Sequence, residues 1–183
     1  MSAYPLTGSL VVLKPIVMET FSEAVSRWSQ NGEYSRLANA DEAVLWTRPQ
    51  TREFFEKEID SFYGFAIHAL DGDRLIGSID LGGFDAAARN AWVGIGIGEA
   101  EFWGKGYGTE AMRLILRFGF EELNLNRVSL DVFEYNQRGV RSYLKCGFKE
   151  EGRHRQALLR GERRWDLIFM GILREEWLAQ TAP

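Results

Sequence analysis

The chain has 183 residues, of which 45% are hydrophobic and 26% charged, and its formal net charge at pH 7 is −4. This composition excludes disordered and fibrous classes, and the length fits a single domain over residues 1–183. The acidic balance argues against nucleic acid as a partner, because phosphate binding needs an excess of Lys and Arg. The longest apolar run, 167–173, is too short to cross a membrane.

The first third of the chain combines one strand with helices. Residues 9–15 are rich in β-branched side chains and stop at a proline, which predicts a strand. Apolar residues at helical spacing predict helices over 19–32 and over 51–62, the second capped by Thr51. The segment 33–48 between them fits neither pattern.

The remainder alternates strands with helices. The turn sequence DGDR between two apolar segments predicts a hairpin of strands 64–70 and 74–81. The further predicted elements are strand 91–98, helix 109–123, strand 127–133, helix 136–146 and a closing pair of strands, 148–159 and 163–173. Strands that alternate with helices predict an α/β fold with one mixed sheet.

Glycine is concentrated in one segment. Six of the 19 glycines lie within residues 94–108: Gly94, Gly96, Gly98, Gly104, Gly106 and Gly108. Glycine weakens a strand, so a bare backbone is expected to be needed there. The second half of the segment is a loop that opens a predicted helix, and the N–H groups of such a loop bind anions. This predicts a phosphorylated ligand, although the spacing matches neither a Walker A loop nor a dinucleotide-binding fingerprint.

Two spaced motifs resemble those of the GNAT superfamily of N-acetyltransferases. FWGKGYGTEAM resembles the acyl-CoA-binding loop of that family, with Gly106 and Gly108 at its two glycine positions and Trp103 where Gln or Arg is usual. NQRGVRSYLKCGF has Asn136 after a strand and Tyr143 four residues before Gly-Phe. The sequence is similar to both the RimJ/RimL-like and the spermidine N-acetyltransferase branches of the family.

The resemblance, which covers residues 64–174, implies a mixed β-sheet with a splayed central parallel strand pair, flanked by helices. The pantetheine arm of acetyl-CoA would lie between strands 91–98 and 127–133, and the period-two glycines of the first strand would make room for it. A backbone N–H near Ile97 would polarise the thioester carbonyl. The residues that the resemblance assigns to acetyl-CoA are Ile97, Trp103, Gly104, Lys105, Gly106, Tyr107, Gly108, Thr109 and Asn136.

Acetyl transfer to an amine needs a base and an acid. An alkylamine with a pKa of about 10.4 must lose a proton before it attacks, and a carboxylate can take that proton. Asp131 is the predicted base, although a salt-bridge or turn role fits it equally well, and Glu99, Glu134 and Asp80 are weaker candidates. The resemblance makes Tyr143 the proton donor to the departing thiolate, against the simpler interpretation of a core aromatic residue.

The acceptor is predicted to be a primary amine, either a peptide N-terminus or a polyamine-like molecule. Residues 19–60 and the turn at 159–164 are expected to select it. Four aromatic residues either line an acceptor pocket or belong to the core: Trp28, Tyr34, Trp46 and Tyr63. The alternative function is a non-catalytic acyl-CoA-binding sensor on the same fold, and a homodimer is left open.

The cysteine and histidine content predicts the compartment. With the single cysteine Cys146 and two histidines, neither an internal disulfide nor a Cys/His metal site is expected. Cys146 itself is interpreted as a small buried residue at a helix end. The first basic residue is Lys14, which does not fit a signal peptide. We therefore expect a cytoplasmic protein without a metal.

Overall fold

A mixed β-sheet forms the centre of the computed structural model, which describes residues 6–40, 45–58 and 61–181. Its seven strands within these residues are β1 (Val11–Pro15), β2 (Phe62–Ala69), β3 (Arg74–Asp85), β4 (Asn90–Ile97), β5 (Arg127–Phe133), β6 (Lys149–Arg160) and β7 (Arg163–Leu173). The α-helices in the same part of the chain are α1 (Met18–Trp28), α2 (Gly32–Ala38), α3 (Arg48–Glu58), α4 (Tyr107–Arg117), α5 (Gln137–Lys145) and α6 (Arg174–Thr181).

The strand order is β1-β2-β3-β4-β5-β7-β6, and each pair of neighbours is antiparallel except β4 with β5. That parallel pair is joined only at its start, over residues 90–92 and 127–129. Beyond this point β4 stays on β3 up to Ile97, while β5 stays on β7 up to Phe133. The two strands therefore separate and leave a wedge-shaped cleft, which confirms the splayed parallel pair.

The two faces of the sheet are covered by different helices. The main core lies on the face that carries α4, where Ile115 and Leu116 are buried with Ile79 and Val128. The side chains of Ile95 and Ile97 also lie on this side, close to the start of α4. A smaller cluster around Phe21 and Trp28 of α1 covers the opposite face.

The helices before β2 differ from the prediction of one helix over 19–32. The helix α1 ends at Trp28, and Gly32 begins a separate helix instead of ending the first one. The reason lies in Asn31, whose side-chain oxygen accepts hydrogen bonds from the N–H groups of Glu33 and Tyr34. This N-cap starts α2 inside the segment whose pattern was ambiguous.

The third helix begins earlier than predicted. Thr51 lies inside α3, fully buried, and its hydroxyl donates to the carbonyl of Thr47. The cap is formed by Thr47 with Gln50: the Gln50 side chain accepts from the Thr47 N–H, and the Thr47 hydroxyl accepts from the Gln50 N–H. This reciprocal pair is a capping box. Phe62, predicted as the helix end, belongs to β2.

The later elements follow the prediction with shifted ends. The strand β3 continues to Asp85, into a segment predicted as loop. The helix α4 begins at Tyr107 and ends at Arg117, where a π-helical turn, Phe118–Glu122, takes over. The helix α6, which follows the last strand, was not predicted.

Candidate active site

The cleft between the separated ends of β4 and β5 contains a cavity of about 270 Å³. Its walls come from α2, the end of β4, the glycine-rich loop and α5. Eight of the eleven predicted site residues line it: Ile97, Trp103, Gly104, Gly106, Gly108, Thr109, Asn136 and Tyr143. The fold thus brings the two motifs of the sequence together, although about 30 residues separate them.

The glycine-rich loop forms one end of the cavity. Gly104 and Gly106 have φ angles of 72° and 96°, which favour glycine. Gly106 is the N-cap of α4 and offers no side chain to the first helical turn, so the N–H groups there are available to an anion. Arg141 and Lys145 of α5 line the same cavity and add positive charge. These residues fit the diphosphate of coenzyme A.

The free edge of β4 forms a second wall. The N–H of Gly98 donates to the carbonyl of Ile76 on β3, at 2.8 Å. Because backbone groups alternate along a strand, Ile95 and Ile97 turn their N–H and C=O groups towards the cleft instead. The indole N–H of Trp103 reaches the carbonyl of Ile97 at 2.6 Å. A bound chain molecule could use the N–H groups of this edge as a neighbouring strand would, which fits a pantetheine arm.

Glycine is needed at these positions of β4 for a different reason from the one predicted. They face the side of the sheet that α1 and α2 cover, and the space above each is already filled by a side chain. A Cβ atom on Gly94 would lie 2.9 Å from Oδ1 of Asp80, and one on Gly96 would lie 2.9 Å from the hydroxyl of Tyr34. At Gly98 a Cβ would overlap the indole of Trp28. These glycines admit protein side chains, not a pantetheine arm.

Tyr143 lines the cavity from α5. Its ring packs edge-on against Phe148, with centroids 6.1 Å apart. Burial, together with the nearby charges of Asp131 and Cys146, raises the pKa of Tyr143 to about 12. The hydroxyl therefore holds its proton at any physiological pH, as a proton donor must.

The capping prediction for Asn136 is confirmed, since its side-chain oxygen accepts from the N–H of Gly139 at 2.9 Å. The hydroxyl of Thr109 on α4 bonds that of Ser142 on α5 at 2.7 Å, which joins the two helices beside the cavity. Cys146 is buried at the end of α5, as predicted. Burial raises the pKa of its thiol to about 11, so it is inert as a nucleophile.

Three of the predicted site residues are not part of the cavity lining. Lys105 is exposed on the loop, and Tyr107 packs its ring against Phe102, with centroids 4.9 Å apart. Asp131 is exposed on β5, opposite Phe169 of β7. Desolvation raises the pKa of Asp131, and its charge acts on Tyr143. Asp131 therefore lies near the cavity without lining it.

The weaker carboxylate candidates have contrasting surroundings. Partial burial disfavours the charge of Glu99, but hydrogen bonds from Trp28 and Arg27, with Arg74 nearby, hold its pKa below the ordinary value. A carboxylate held in this way is a poor base. Glu134 accepts from the N–H of Asp166 at 3.3 Å. In contrast, burial raises the pKa of Asp80 to about 6.

Of the four aromatic residues proposed for an acceptor pocket, Tyr34 lines the cavity. Trp28 belongs to the core cluster of α1, and Trp46 packs against Phe54. Tyr63 is exposed beside Phe84. One of the four therefore lines the cavity, and the other three lie elsewhere.

The helix α2 forms a roof over the cleft. Tyr34 places its hydroxyl over Gly96 of β4, while the hydroxyl of Tyr135 on the β5 side donates to the carbonyl of Arg36, at 2.5 Å. Arg160, at the predicted 159–164 turn, donates to the carbonyl of Asn39 at 2.5 Å. Sequence reasoning missed this roof, because the ties are long-range contacts without a local motif.

The described residues contain neither a metal-binding cluster nor a membrane-spanning helix. No cluster of side chains suited to a metal ion was found in these parts of the chain. Nor does any of their helices have both the length and the apolar character of a membrane span.

Comparison with known proteins agrees with this geometry. Residues 11–149 match the family described as acetyltransferase (GNAT) domain. The chain is 37% identical over 167 residues to the putative ribosomal N-acetyltransferase YdaF of Bacillus subtilis, covering 91% of each protein. It is 31% identical over 156 residues to the probable N-acetyltransferase YjcK of the same organism, covering 80% of this chain and 84% of that protein.

A solved structure shares the fold. It is the spermidine N-acetyltransferase from Vibrio cholerae in complex with CoA and spermine, with a TM-score of 0.82, 24% identity, and coverage of 93% of this chain and 99% of that one. Family match, sequence relatives and cleft geometry agree. The chain belongs to the GNAT family and is an acetyl-CoA-dependent acetyltransferase.

Proposed function

We propose that the protein transfers the acetyl group of acetyl-CoA to a primary amine by direct attack, with both substrates bound at once. The observation that carries this proposal is the cavity itself, which runs from a cationic, glycine-rich loop along the end of β4 to Tyr143 of α5. The side with the glycine-rich loop and α5 can hold a phosphorylated chain molecule. The side under α1 and α2 is left for an acceptor.

The acceptor is proposed to be a peptide or protein N-terminus, or a polyamine-like molecule. The first class is supported by the name of the YdaF relative, a putative ribosomal N-acetyltransferase. The second is supported by the Vibrio cholerae structure, which contains spermine. Both classes present a primary amine that is protonated at neutral pH, so the same proton chemistry applies to either.

The proposed roles follow from the site. The N–H groups around residues 105–108 and the nearby cations hold the diphosphate, and the β4 edge at Ile97 orients the thioester. Acetyl-CoA supplies an activated acyl group and a thiolate that leaves. Tyr143 donates the proton that the sulfur takes up, and a carboxylate beside the cleft, Asp131 on β5 or Asp80 on β3, accepts a proton from the amine. We also place the protein in the cytoplasm, where the thiol of Cys146 stays reduced.

Release of free thiol from acetyl-CoA in the presence of an amine panel tests this function. The panel contains spermidine, spermine and short peptides with free N-termini, and blocked peptides serve as controls. We expect amine-dependent release with an acetylated amine as product. Tight coenzyme A binding by calorimetry without release for any amine would instead support the non-catalytic sensor.

A further inference from the structure

Asp80 occupies the same level of the sheet as Asp131, on the other side of the cleft. On β3 it pairs with Gly94 of β4. The parallel register pairs Trp92 of β4 with Ser129 of β5. Two residues later on each strand, where β4 and β5 separate, Gly94 and Asp131 lie at the two lips of the cleft. Side chains two apart on a strand share a face. Asp80 and Asp131 therefore flank the start of the cleft on the face covered by α1 and α2.

Asp80 does not line the cavity itself, but no side chain of β4 stands between its carboxylate and the lip of the cleft. Asp80 lies between Gly64 of β2 and Gly94 of β4, neither of which carries a side chain. A Cβ on Gly94 would lie 2.9 Å from Oδ1 and 3.3 Å from Oδ2 of Asp80. Both oxygens thus lie over the β4 main chain at the lip. An alanine there would have to displace the carboxylate, so the glycine keeps Asp80 in place.

Asp80 is also unpaired. Throughout residues 6–40, 45–58 and 61–181, no hydrogen bond or ion pair to its side chain is found, although it is half-buried. Burial is the sole cause of its raised pKa. A partly buried carboxylate without a partner lowers the stability of the fold unless a ligand pairs with it. Such unpaired groups are typical of functional positions.

The charged groups on the helices above this face do not neutralise Asp80. The titratable groups facing the same region are the Tyr34 hydroxyl from α2 and Asp131 from β5. Most other charges of these helices pair with one another or with other parts of the chain: Glu19 with Arg52, Glu23 with Arg48, Arg27 with Glu99, Glu33 with Arg138, and Glu53 with Lys57. Arg36 of α2 is exposed and forms no ion pair within the described residues. None of these charges forms an ion pair with Asp80 within the described residues, so a cationic amine would be its first direct charge partner.

We propose that Asp80 takes the proton from an acceptor amine that enters beneath α1 and α2. This assignment rests on the proposed function. The amine nitrogen gives one proton to the Asp80 carboxylate, and through it to solvent, and then bonds to the thioester carbon as the carbon–sulfur bond breaks. Tyr143 gives its proton to the departing sulfur, and the second proton lost by nitrogen restores the phenol of Tyr143. Asp131, which acts electrostatically on Tyr143, is the competing base, and the same experiment tests it.

The test compares Asp80→Asn with Asp131→Asn and with Asp71→Asn, an exposed aspartate of the adjoining turn, as control. For the amine turned over fastest by the unaltered protein, kcat/KM is measured from pH 5.5 to 9.5. We expect Asp80→Asn to reduce kcat/KM by ~10²–10³-fold at pH 7. The loss should shrink at high pH, where free amine is abundant, and the acid limb near pH 6 should disappear. Coenzyme A affinity should stay unchanged.

A thermal melt gives a readout that does not depend on activity. Because the folded-state pKa of Asp80 lies above its ordinary value of 3.8, its ionisation costs stability as the pH rises through about 6. Asp80→Asn should therefore melt at an equal or higher temperature than the unaltered protein at pH 8.

Several results would overturn the proposal. The first is a kcat/KM of Asp80→Asn within threefold of that of the unaltered protein. The second is an acid limb that persists in the pH profile of Asp80→Asn. The third is an acid limb that disappears in Asp131→Asn instead. A clearly lower melting temperature would show a structural role for Asp80. If the unaltered protein acetylates none of the amines, the proposed function fails first. A rise in melting temperature would then show only that the carboxylate is unpaired, and the base assignment would fall with the function.

Discussion

Replacing Tyr143 by Phe removes one hydroxyl from the cavity wall and leaves the ring packed against Phe148. The fold and the affinity for coenzyme A should therefore change little. If the hydroxyl protonates the departing sulfur, its loss should appear in kcat, because that proton is transferred only during the reaction.

The magnitude follows from the pKa of Tyr143, which is about 12. A thiol has a pKa of about 8.5, so full proton transfer from an isolated Tyr143 to the thiolate is uphill by ~3.5 pKa units, or about 5 kcal/mol. The transfer must be coupled to the loss of the second amine proton, which restores the phenol. Removal of a positioned acid of this kind lowers a rate by ~10²–10⁴-fold.

The pKa of Tyr143 also predicts how kcat depends on pH. A donor that titrates near pH 12 stays protonated throughout the accessible range, so kcat of the unaltered protein should show no basic limb between pH 8 and 10. Free-thiol release at saturating substrates measures kcat, and calorimetry measures the affinity. Tyr63→Phe is the matched control, because Tyr63 is exposed beside Phe84 and lies outside the cavity lining. A kcat within threefold of normal in Tyr143→Phe would refute the donor role. A basic limb that vanishes in that variant would instead refute a Tyr143 pKa as high as about 12.

Three further predictions address the loop, the β5 carboxylate and the N-terminal strand. Gly106→Asp forces a side chain into φ 96° and puts negative charge beside the phosphate site, so calorimetry on the folded variant should show at least ~10-fold weaker coenzyme A binding, whereas Gly152→Asp, in open space, should bind normally. Asp131→Asn should reduce the rate most near pH 7 and less at high pH if Asp131 is the base, and parallel pH–rate profiles would exclude it. Partial burial raises the pKa of Glu110, but the hydrogen bonds that it accepts from Ser9, Leu10 and Val11 outweigh burial and lower that pKa. Glu110→Gln should therefore lower the free energy of unfolding by about 1–2 kcal/mol in a melt at pH 7. The difference should fade as the pH drops below about 4, and an equal loss at pH 3 would contradict the charge argument.

The strands of the sheet could be predicted because their signals are local. Apolar and β-branched runs bounded by glycine and proline identify β2, β5 and β7 within two residues of their observed ends. The two motifs likewise predict the loop and α5, because a glycine with positive φ or an Asn cap acts on its immediate neighbours. The division between α1 and α2 was missed, although Asn31 carried a usable capping signal.

The rest of the candidate site could not be predicted, because it depends on contacts that no local pattern encodes. The sequence shows that Gly94 and Gly96 are bare, but not that Asp80 and Tyr34 fill the space above them. Asp80 ranked low among the carboxylates for the same reason, since its value as a base comes from burial and lack of partners on a particular face of the sheet. Glu99 was equally plausible until the fold placed Arg27 against it.

The short parallel pairing has a consequence for local motion. The block β1–β4 and the block β5–β7–β6 share three residue pairs of main chain, so the sheet is two smaller sheets with a narrow seam. Local opening in such a molecule is expected to begin where backbone groups lack a neighbouring strand. In hydrogen exchange, the amides of Ile95 and Ile97 should therefore be among the fastest of β4 in the free protein. They should slow most when coenzyme A fills the gap, so that the ligand completes the main-chain hydrogen bonding that the polypeptide leaves unfinished.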